Sequence, residues 1–269
     1  METARVRGNV LGVLVDITTY DRATNAVLAA ALANQPFTLT ALAVHGIMTG
    51  VRDPVHAARL NAFDTVAPDG QPVRWALNLL HGAGLADRVY GPTLTLRILE
   101  RAVRAQLPVY FYGSTEKTLS LLAARLRWMF PELKIAGCEA SKFRLSRPGE
   151  NAEIAARIVA SGARVVLVGL GCPRQEEFTY AMSPLLKMPL LAVGAAFDYH
   201  AGLLRRPPTW MQAVGLEWLW RLGLEPRRLW QRYLILNPDY LARLFAQWLG
   251  FWAPSPAPPA LAPLDTFPV

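Results

Sequence analysis

A mostly parallel, doubly wound α/β sheet with a helical C-terminal appendage is the fold class this sequence predicts. Three observations carry it. Short apolar runs alternate with longer amphipathic ones at β-α-β spacing, the short runs end in small-residue turns such as Gly113-Ser114-Thr115 and Gly169-Leu170-Gly171, and the composition changes after Arg205. At 269 residues, 52% of them hydrophobic, the chain is long enough to bury both faces of such a Rossmann-like sheet.

Taken in order, Val10 to Val15 reads as a buried strand, and Thr19 or Asp21 caps a helix running to about Asn34. Phe37 to Val44 is a second strand. Ile47 to Asn61 has weaker helical character because Gly50 and Pro54 interrupt it. Thr65-Val66-Ala67 then enters the turn Pro68-Asp69-Gly70-Gln71-Pro72. There Pro68 fixes its φ, Gly70 admits a positive φ, and Pro72 suits the first turn of a helix from Gln71 to Leu80. A turn braced in this way can aim the Asp69 carboxylate into the crevice where open α/β sheets bind ligands. Pro-Asp-Gly is also a common surface turn, so these residues by themselves leave both readings open.

After the loop His81-Gly82-Ala83-Gly84, Thr93 is the expected N-cap of a helix. Leu94, Ile98, Ala102 and Ala105 share one of its faces, and Arg97, Glu100, Arg101 and Arg104 share another. Pro108 to Tyr112 is a strand whose small-residue turn opens a long helix to about Phe130, an order suited to holding an anion. Leu133 to Gly137 reads as a strand, Gly149 to Ser161 as a helix and Arg164 to Leu170 as a strand. The following glycine turn feeds a helix starting near Pro173 and lacks the third glycine of a dinucleotide fingerprint. Leu190 to Gly194 is the last strand, opening into the segment from Ala195 to Gly202.

These segments make residues 1–205 a catalytic α/β domain, 206–250 a basic Trp/Arg-rich helical appendage, and 251–269 a Pro/Ala-rich tail expected to be disordered. Between Arg205 and Trp252 lie six of the eight tryptophans and seven arginines against three acidic residues, with no lysine. Leu241, Leu244, Phe245 and Trp248 form an apolar stripe at helical spacing, with Arg243 and Gln247 facing away. Such helices either cover the sheet edge or lie on a membrane surface with rings at headgroup depth and arginines on lipid phosphates.

The net charge of +8 and the pI near 9.9 favour an anionic partner, and the positive mean hydropathy of +0.21 points to a large buried core, an apolar surface for a partner or lipid, or both. No apolar run approaches the roughly 18 to 20 residues of a membrane span, and the N-terminus has no signal-peptide pattern. Two cysteines, Cys138 and Cys172, are too few for a disulfide framework, and no CxxC or Cys/His ligand spacing appears, so structural zinc is not expected and a reducing compartment is. Cys172 reads as a small buried turn residue. The sequence has no GxSxG, HExxH, Walker A, CxxC or Asp-x-Asp motif, which leaves common hydrolases, triphosphatases and metal-dependent diphosphate chemistry without support. If the substrate is a nucleotide sugar, arginines and helix N-termini must stabilise the departing diphosphate.

Several pieces, in order over roughly residues 8 to 245, resemble one family. They are Ala67-Pro68-Asp69-Gly70-Gln71-Pro72, Arg88-Val89-Tyr90-Gly91, Phe111-Tyr112-Gly113, the stretch Val168-Gly169-Leu170-Gly171-Cys172-Pro173-Arg174-Gln175-Glu176, Val193-Gly194-Ala195-Ala196-Phe197-Asp198, and Gly215-Leu216-Glu217-Trp218 through Glu225-Pro226-Arg227-Arg228-Leu229. The sequence resembles the WecG/TagA/CpsF family, glycosyltransferase family 26. That resemblance implies an inverting, metal-independent and cofactor-free enzyme moving a sugar from a UDP-sugar to a polyprenyl-diphosphate-linked saccharide in bacterial cell-surface or exopolysaccharide synthesis. It places the enzyme in the cytoplasm, peripheral at the inner face of the membrane, with an anionic membrane surface and a homo-oligomer among its partners.

By the same resemblance Asp69 is the general base, Arg88 the active-site arginine and Gln175 the glutamine of the Pro-x-Gln-Glu motif. An aspartate of ordinary pKa is ionised at neutral pH and can take the acceptor's proton. Gly70, Tyr112, Gly113, Gly169, Gly171, Pro173, Glu176 and Asp198 are carried over as substrate-binding positions, Glu176 also as an orienter of its helix and Asp198 also as an anchor of its loop. Arg221, Arg227 and Arg228 match the basic segment that closes over the diphosphate. One departure bears on the donor: many members carry Thr-x-Asn where this chain has Ala41 and Ala43, followed by His45. His45 is the candidate substitute, its imidazole able to donate or accept beside the base, and a glucose or glucuronic acid donor stands beside N-acetylmannosamine.

Two other classes remain to be weighed. A nucleotide-cofactor Rossmann enzyme is opposed by the incomplete glycine fingerprint and the missing acidic residue after the next strand. A nucleic-acid-binding module is opposed because the aromatics fall on apolar helical faces, so no nucleic acid is expected.

Overall fold

The computed structural model describes residues 5–256 and 266–269, apart from the side chains of residues 228 and 232. Its centre is a six-stranded parallel sheet. The strands are β3 (Phe37–Leu42), β4 (Thr65–Pro68), β5 (Val109–Gly113), β6 (Ile135–Glu139), β7 (Val165–Gly169) and β8 (Pro189–Ala192), in the order β4-β3-β8-β7-β5-β6. Strands buried on both faces need apolar residues in both phases. Val109 and Phe111 of β5 with Val165 and Leu167 of β7 face one apolar layer, while Tyr110, Tyr112, Val166 and Val168 face the other. Each fully buried large side chain contributes about 1.5–3 kcal/mol, so these two layers supply the main cohesion of the domain.

Helices α1 (Tyr20–Ala33), α5 (Gly91–Arg104) and α6 (Glu116–Met129) pack on the first face, and α7 (Glu150–Ala160) and α8 (Arg174–Met182) on the second. Leu94, Ile98 and Ala102 of α5 are fully buried, as their spacing predicts. Thr19 caps α1 by accepting from Arg22 N, and Thr115 caps α6 by accepting from Thr118 N. The stretch around Gly50 and Pro54 divides into α2 (Val44–Arg52) and α3 (Pro54–Asn61). Asp53 ends the first and caps the second, taking the Val55 and His56 amides. Helix α4 (Gln71–His81) begins at Gly70 with Pro72 in its first turn.

Four expectations change. Val10 to Val15 is a hairpin, β1 (Arg7–Val10) and β2 (Val13–Asp16), because Leu11 and Gly12 both take positive φ and close a two-residue turn. The helix expected to start at Thr93 starts at Gly91, with Tyr90 at its N-cap, because Pro92 already holds a helical φ there. The segment after β8 contains a short helix, α9 (Ala196–Ala201). Of the tail expected to be disordered, residues 251–256 reach the hairpin, where Asn9 Nδ2 donates to Pro254 O at 2.7 Å. Residues 266–269 lie on the core with Phe267 and Val269 buried, because two apolar side chains find a cover there that low charge does not preclude. Residues 257–265 lie outside the described residues.

The appendage comprises α10 (Thr209–Ala213), α11 (Glu217–Leu224), α12 (Pro226–Leu234) and α13 (Leu236–Trp248). Helix α13 shows a limit of periodicity. Leu241, Phe245 and Trp248 are 59%, 56% and 50% exposed, and the face that packs inward is Leu236, Tyr240 and Leu244. Tyr240 donates to Pro72 O at 3.1 Å, while Gln247, expected to face away, accepts from Leu11 N at 3.0 Å and donates to Asn9 O at 2.9 Å. The Leu11 amide, which among the described residues Gln247 alone satisfies, and Asn9 O, which Gln247 shares with His81, therefore draw Gln247 to the inner face, and most of the apolar stripe is left outside.

Replacing Asp53 by Ala leaves the Val55 and His56 amides without their cap, and urea unfolding is expected to register a loss of about 1 kcal/mol.

Candidate active site

The sheet's strand ends converge on a cleft with two halves that meet at Asp69. The larger half encloses about 1290 Å³ up to its open mouth and is lined by residues following β3, β5, β7 and β8: Ala41 and Ala43, Ser114 and Thr115, Gly171 and Cys172, Gly194 and Ala195. The smaller half, about 680 Å³, lies between the start of α4 and the appendage. There Gln71 and Pro72 face Trp218, Arg221, Tyr233 and Asn237. Asp69, Tyr90, Glu217 and Arg221 border both halves.

Asp69 is aimed by its backbone. Its N–H donates to Leu42 O at 3.1 Å, continuing the β3–β4 pairing, and Gly70 then turns away at φ +97°. The carboxylate lies at the starts of α4 and α5, and Gly91 N donates to its Oδ2 at 3.4 Å. Space at Gly91 is close: a Cβ there would stand 3.3 Å from the Ala41 methyl and in ordinary contact, at 3.4 Å, with Asp69 Oδ2. Burial pushes the Asp69 carboxyl up to about 7, with the neighbouring Glu217 carboxylate adding to the rise, while Arg88, the Gly91 amide and Arg221 oppose it. The ordinary ionisation expected from sequence therefore gives way to a carboxyl poised near neutrality, where a general base is most effective.

Arg88, 6% exposed, donates to Glu217 Oε2 at 2.5 Å, and its guanidinium lies 4.4 Å from the Tyr90 ring centroid. This ion pair joins the sheet domain to α11. Arg221, one helical turn after Glu217, approaches Glu225 at 3.8 Å and remains a positive wall of both halves. His45, at the second position of α2, lines the smaller half, and only methyl groups stand at Ala41 and Ala43 in the larger half.

At the glycine turn, Gly171 takes φ +76° and α8 begins after Pro173. Gln175 Nε2 donates to Glu176 Oε1 at 2.8 Å, and Thr40 Oγ1 donates to the same oxygen at 3.0 Å. Burial raises the Glu176 carboxyl to about 7, with those hydrogen bonds opposing, so Glu176 ties the helix start to β3. Burial also lowers the His56 imidazole beside it to about 4.

The structure brings together Asp69, Gly70, Arg88, His45, Gly169, Gly171, Gln175, Glu176, Asp198 and Arg221. It does not bring in Tyr112, which is fully buried and stacks on Phe178 at 4.2 Å because alternation turns it into the second apolar layer. Nor do Gly113 and Pro173 line the cleft: Gly113 packs against Gly169, where a Cβ would meet backbone at 2.9 Å, and Pro173 serves as the N-cap of α8. Arg227 is exposed and borders neither half, since it occupies the outer side of α12, and the Arg228 side chain lies outside the described residues. Tyr90, Arg174, Tyr199 and Glu217 were not among the sequence candidates. Glu217 and Tyr90 sit inside matched motifs, and an acidic residue in an arginine-rich segment was the available signal for the first.

The family model described as the glycosyl transferase WecG/TagA/CpsF family matches residues 8–253. The chain belongs to this family. It is a glycosyltransferase. Among its relatives, an N-acetylglucosaminyldiphosphoundecaprenol N-acetyl-beta-D-mannosaminyltransferase of Bacillus spizizenii is 31% identical over 192 residues, which cover 71% of this chain and 72% of the relative.

Because the folded form holds the Asp69 proton to higher pH than the unfolded chain, the native state binds more protons between about pH 4 and 7 and loses stability as pH rises through that window. Asp69→Asn removes this penalty. Thermal unfolding is expected to find the variant more stable than wild type above pH 7, with the difference gone below pH 4.

Proposed function

We propose that this transferase moves a sugar, with inversion, from a UDP-sugar to a polyprenyl-diphosphate-linked saccharide in cell-surface or exopolysaccharide synthesis, with Asp69 as general base. The observation that carries the reading is the position of Asp69 where the two halves of the cleft meet. In this reading the donor occupies the larger half, its diphosphate near the starts of α6 and α8 with Arg174 and Arg221 within the same walls. The acceptor saccharide enters the smaller half beneath the appendage. Its hydroxyl oxygen attacks the anomeric carbon as Asp69 takes the proton, the bond to the UDP oxygen breaks on the opposite face, and the diphosphate leaves with the electron pair.

Arginines and helix N-termini supply the countercharge in this scheme, so neither a catalytic metal nor a cofactor is called for. The donor's diphosphate is itself anionic and favours the protonated carboxyl, so the positive charges of Arg88 and Arg221, which oppose the rise at Asp69, are what favour its ionised form. His45, in the acceptor half, is the candidate to orient a hydroxyl beside Asp69. The name of the Bacillus spizizenii relative supports a lipid-linked acceptor and makes N-acetylmannosamine one donor to test. The methyl groups of Ala41 and Ala43 keep glucose and glucuronic acid in the same test.

The acceptor's lipid tail requires approach to a membrane. No helix among the described residues is long and apolar enough to cross one. The outward faces of the appendage carry Trp210, Trp230, Leu234, Ile235, Leu241, Phe245 and Trp248, interspersed with arginine, a pattern suited to peripheral attachment at the inner face of the bacterial cytoplasmic membrane. A homo-oligomer that opens on docking fits the same exposed surface.

The reading is tested by offering UDP-N-acetylmannosamine, UDP-glucose and UDP-glucuronic acid with a short-chain polyprenyl-diphosphate-saccharide and measuring released UDP with and without EDTA. Release with one donor, unaffected by EDTA, is expected, and Asp69→Asn should fold and lose activity by about 10² to 10⁴. Undiminished turnover in that variant excludes Asp69 as base. Serine at Leu241, Phe245 and Trp248 together should move stability by about 0.5 kcal/mol or less per site while abolishing sedimentation with anionic vesicles.

A further inference from the structure

Beneath the glycine turn, His56 of α3, Cys172 of the turn and Glu176 of α8 each bring a ligand atom within 4.8 Å of the other two. The group has no role in the proton transfer at Asp69. Its members are built unlike an ordinary core cluster. His56 is 0% exposed, and neither of its ring nitrogens has a hydrogen-bond partner among the described residues. Glu176 is equally buried. Its Oε1 receives both Thr40 and Gln175, while Oε2 has no hydrogen-bond partner. The Cys172 thiol hydrogen-bonds the same carboxylate and opens on its other side to the larger half of the cleft.

Burying an imidazole and a carboxylate oxygen without partners is costly, and natural interiors rarely leave such groups bare. The atoms turned toward one another are all lone-pair donors: an unpartnered imidazole nitrogen, an unpartnered carboxylate oxygen and the sulfur of a thiol that hydrogen-bonds the same carboxylate. A single cation satisfies all three at once. Among the described residues, Thr40 and Gln175 hold one Glu176 carboxylate oxygen and leave the other without a partner, as for a ligating carboxylate, while the second ring nitrogen of His56 has no outer partner. An ion pair between Arg59 and Glu177 at 3.3 Å clamps α3 to α8 beside the group.

We propose that His56, Cys172 and Glu176 form a structural binding site for a divalent cation that accepts thiolate, with zinc the best match. Mixed nitrogen, sulfur and oxygen donors suit zinc and disfavour magnesium or calcium, which take oxygen shells. A neutral imidazole, a thiolate and a carboxylate carry two negative charges, so the loaded site is neutral and compatible with burial. Loading forms one bond each from nitrogen, sulfur and oxygen to the ion, and it releases the thiol proton, with any carboxyl proton, to solvent. No electron changes hands. The fourth position faces the cleft through Cys172, which is also the entry path. The ion ties α3 and β3 to the turn that presents Gly171 to the donor, and it takes no part in the transfer step itself.

The test uses the full chain, loaded with zinc, freed of excess by dialysis and assayed for metal by mass spectrometry. Stoichiometric zinc is expected, together with a rise in Tm on loading and, after replacement by cobalt(II), a near-ultraviolet thiolate-to-cobalt charge-transfer band. His56→Ala and Cys172→Ser should lose the zinc, the Tm response and the band. Cys172→Ser differs by one atom and covers the case in which His56→Ala fails to fold. Wild-type protein that does not retain zinc overturns the proposal, as does zinc retained in full by Cys172→Ser. Neither readout depends on sugar transfer, so failure here leaves the assignment of Asp69 untouched.

Discussion

A carboxylate withdrawn from water must be compensated by something else, and the arrangement around Asp69 follows from that constraint. The chain supplies two helix starts, the Gly91 amide, and the charges of Arg88 and Arg221. Burial still prevails and lifts the carboxyl to about 7. The compensating groups come from separate parts of the chain: the starts of α4 and α5, the connection between them that carries Arg88, and α11 of the appendage. The surroundings of Asp69 are thus complete only when sheet and appendage are together.

The same accounting explains how the appendage is held. Its many exposed arginines do little of this, since a pair such as Arg243 with Asp239, half in solvent and one helical turn apart, is worth about 0.3–0.5 kcal/mol. The Arg88–Glu217 pair is nearly out of water, and removing one partner of such a pair typically costs about 3–5 kcal/mol because the other charge is stranded. Leu236, Tyr240 and Leu244 add an apolar seam against α2, α4 and the hairpin. A few buried contacts therefore anchor the appendage, and the remaining arginines and aromatic rings are left for what lies outside the protein.

Position at the strand ends sorts the carboxylates by task. Asp69 borders both halves of the cleft, while Glu176, behind the wall of the larger half, is fully buried and held by Thr40, Gln175 and Cys172. Both are raised by burial, yet only the first can reach a substrate. The glycine turn that precedes Glu176 consequently has two faces, one toward the larger half of the cleft and one toward His56.

Much of this was legible in the chain itself. Local chemistry determined the alternation of strands and helices, the caps at Thr19 and Thr115, the bent turn that aims Asp69 and the apolar face of α5, because each depends on residues within a turn or two of one another. Long-range pairing decided what that chemistry could not reach. Spacing puts Leu241, Phe245 and Trp248 on one side of α13, but the hairpin's unpaired backbone turned that side outward. Motif matching brought Tyr112 forward, but its phase in β5 committed it to the core. Glu217 becomes a partner of Arg88, 129 residues away, only through packing. Periodicity and turn chemistry are properties of neighbouring residues, whereas the sign of a face, the ionisation of a buried acid and the partner of a charge depend on what the rest of the fold sets against them.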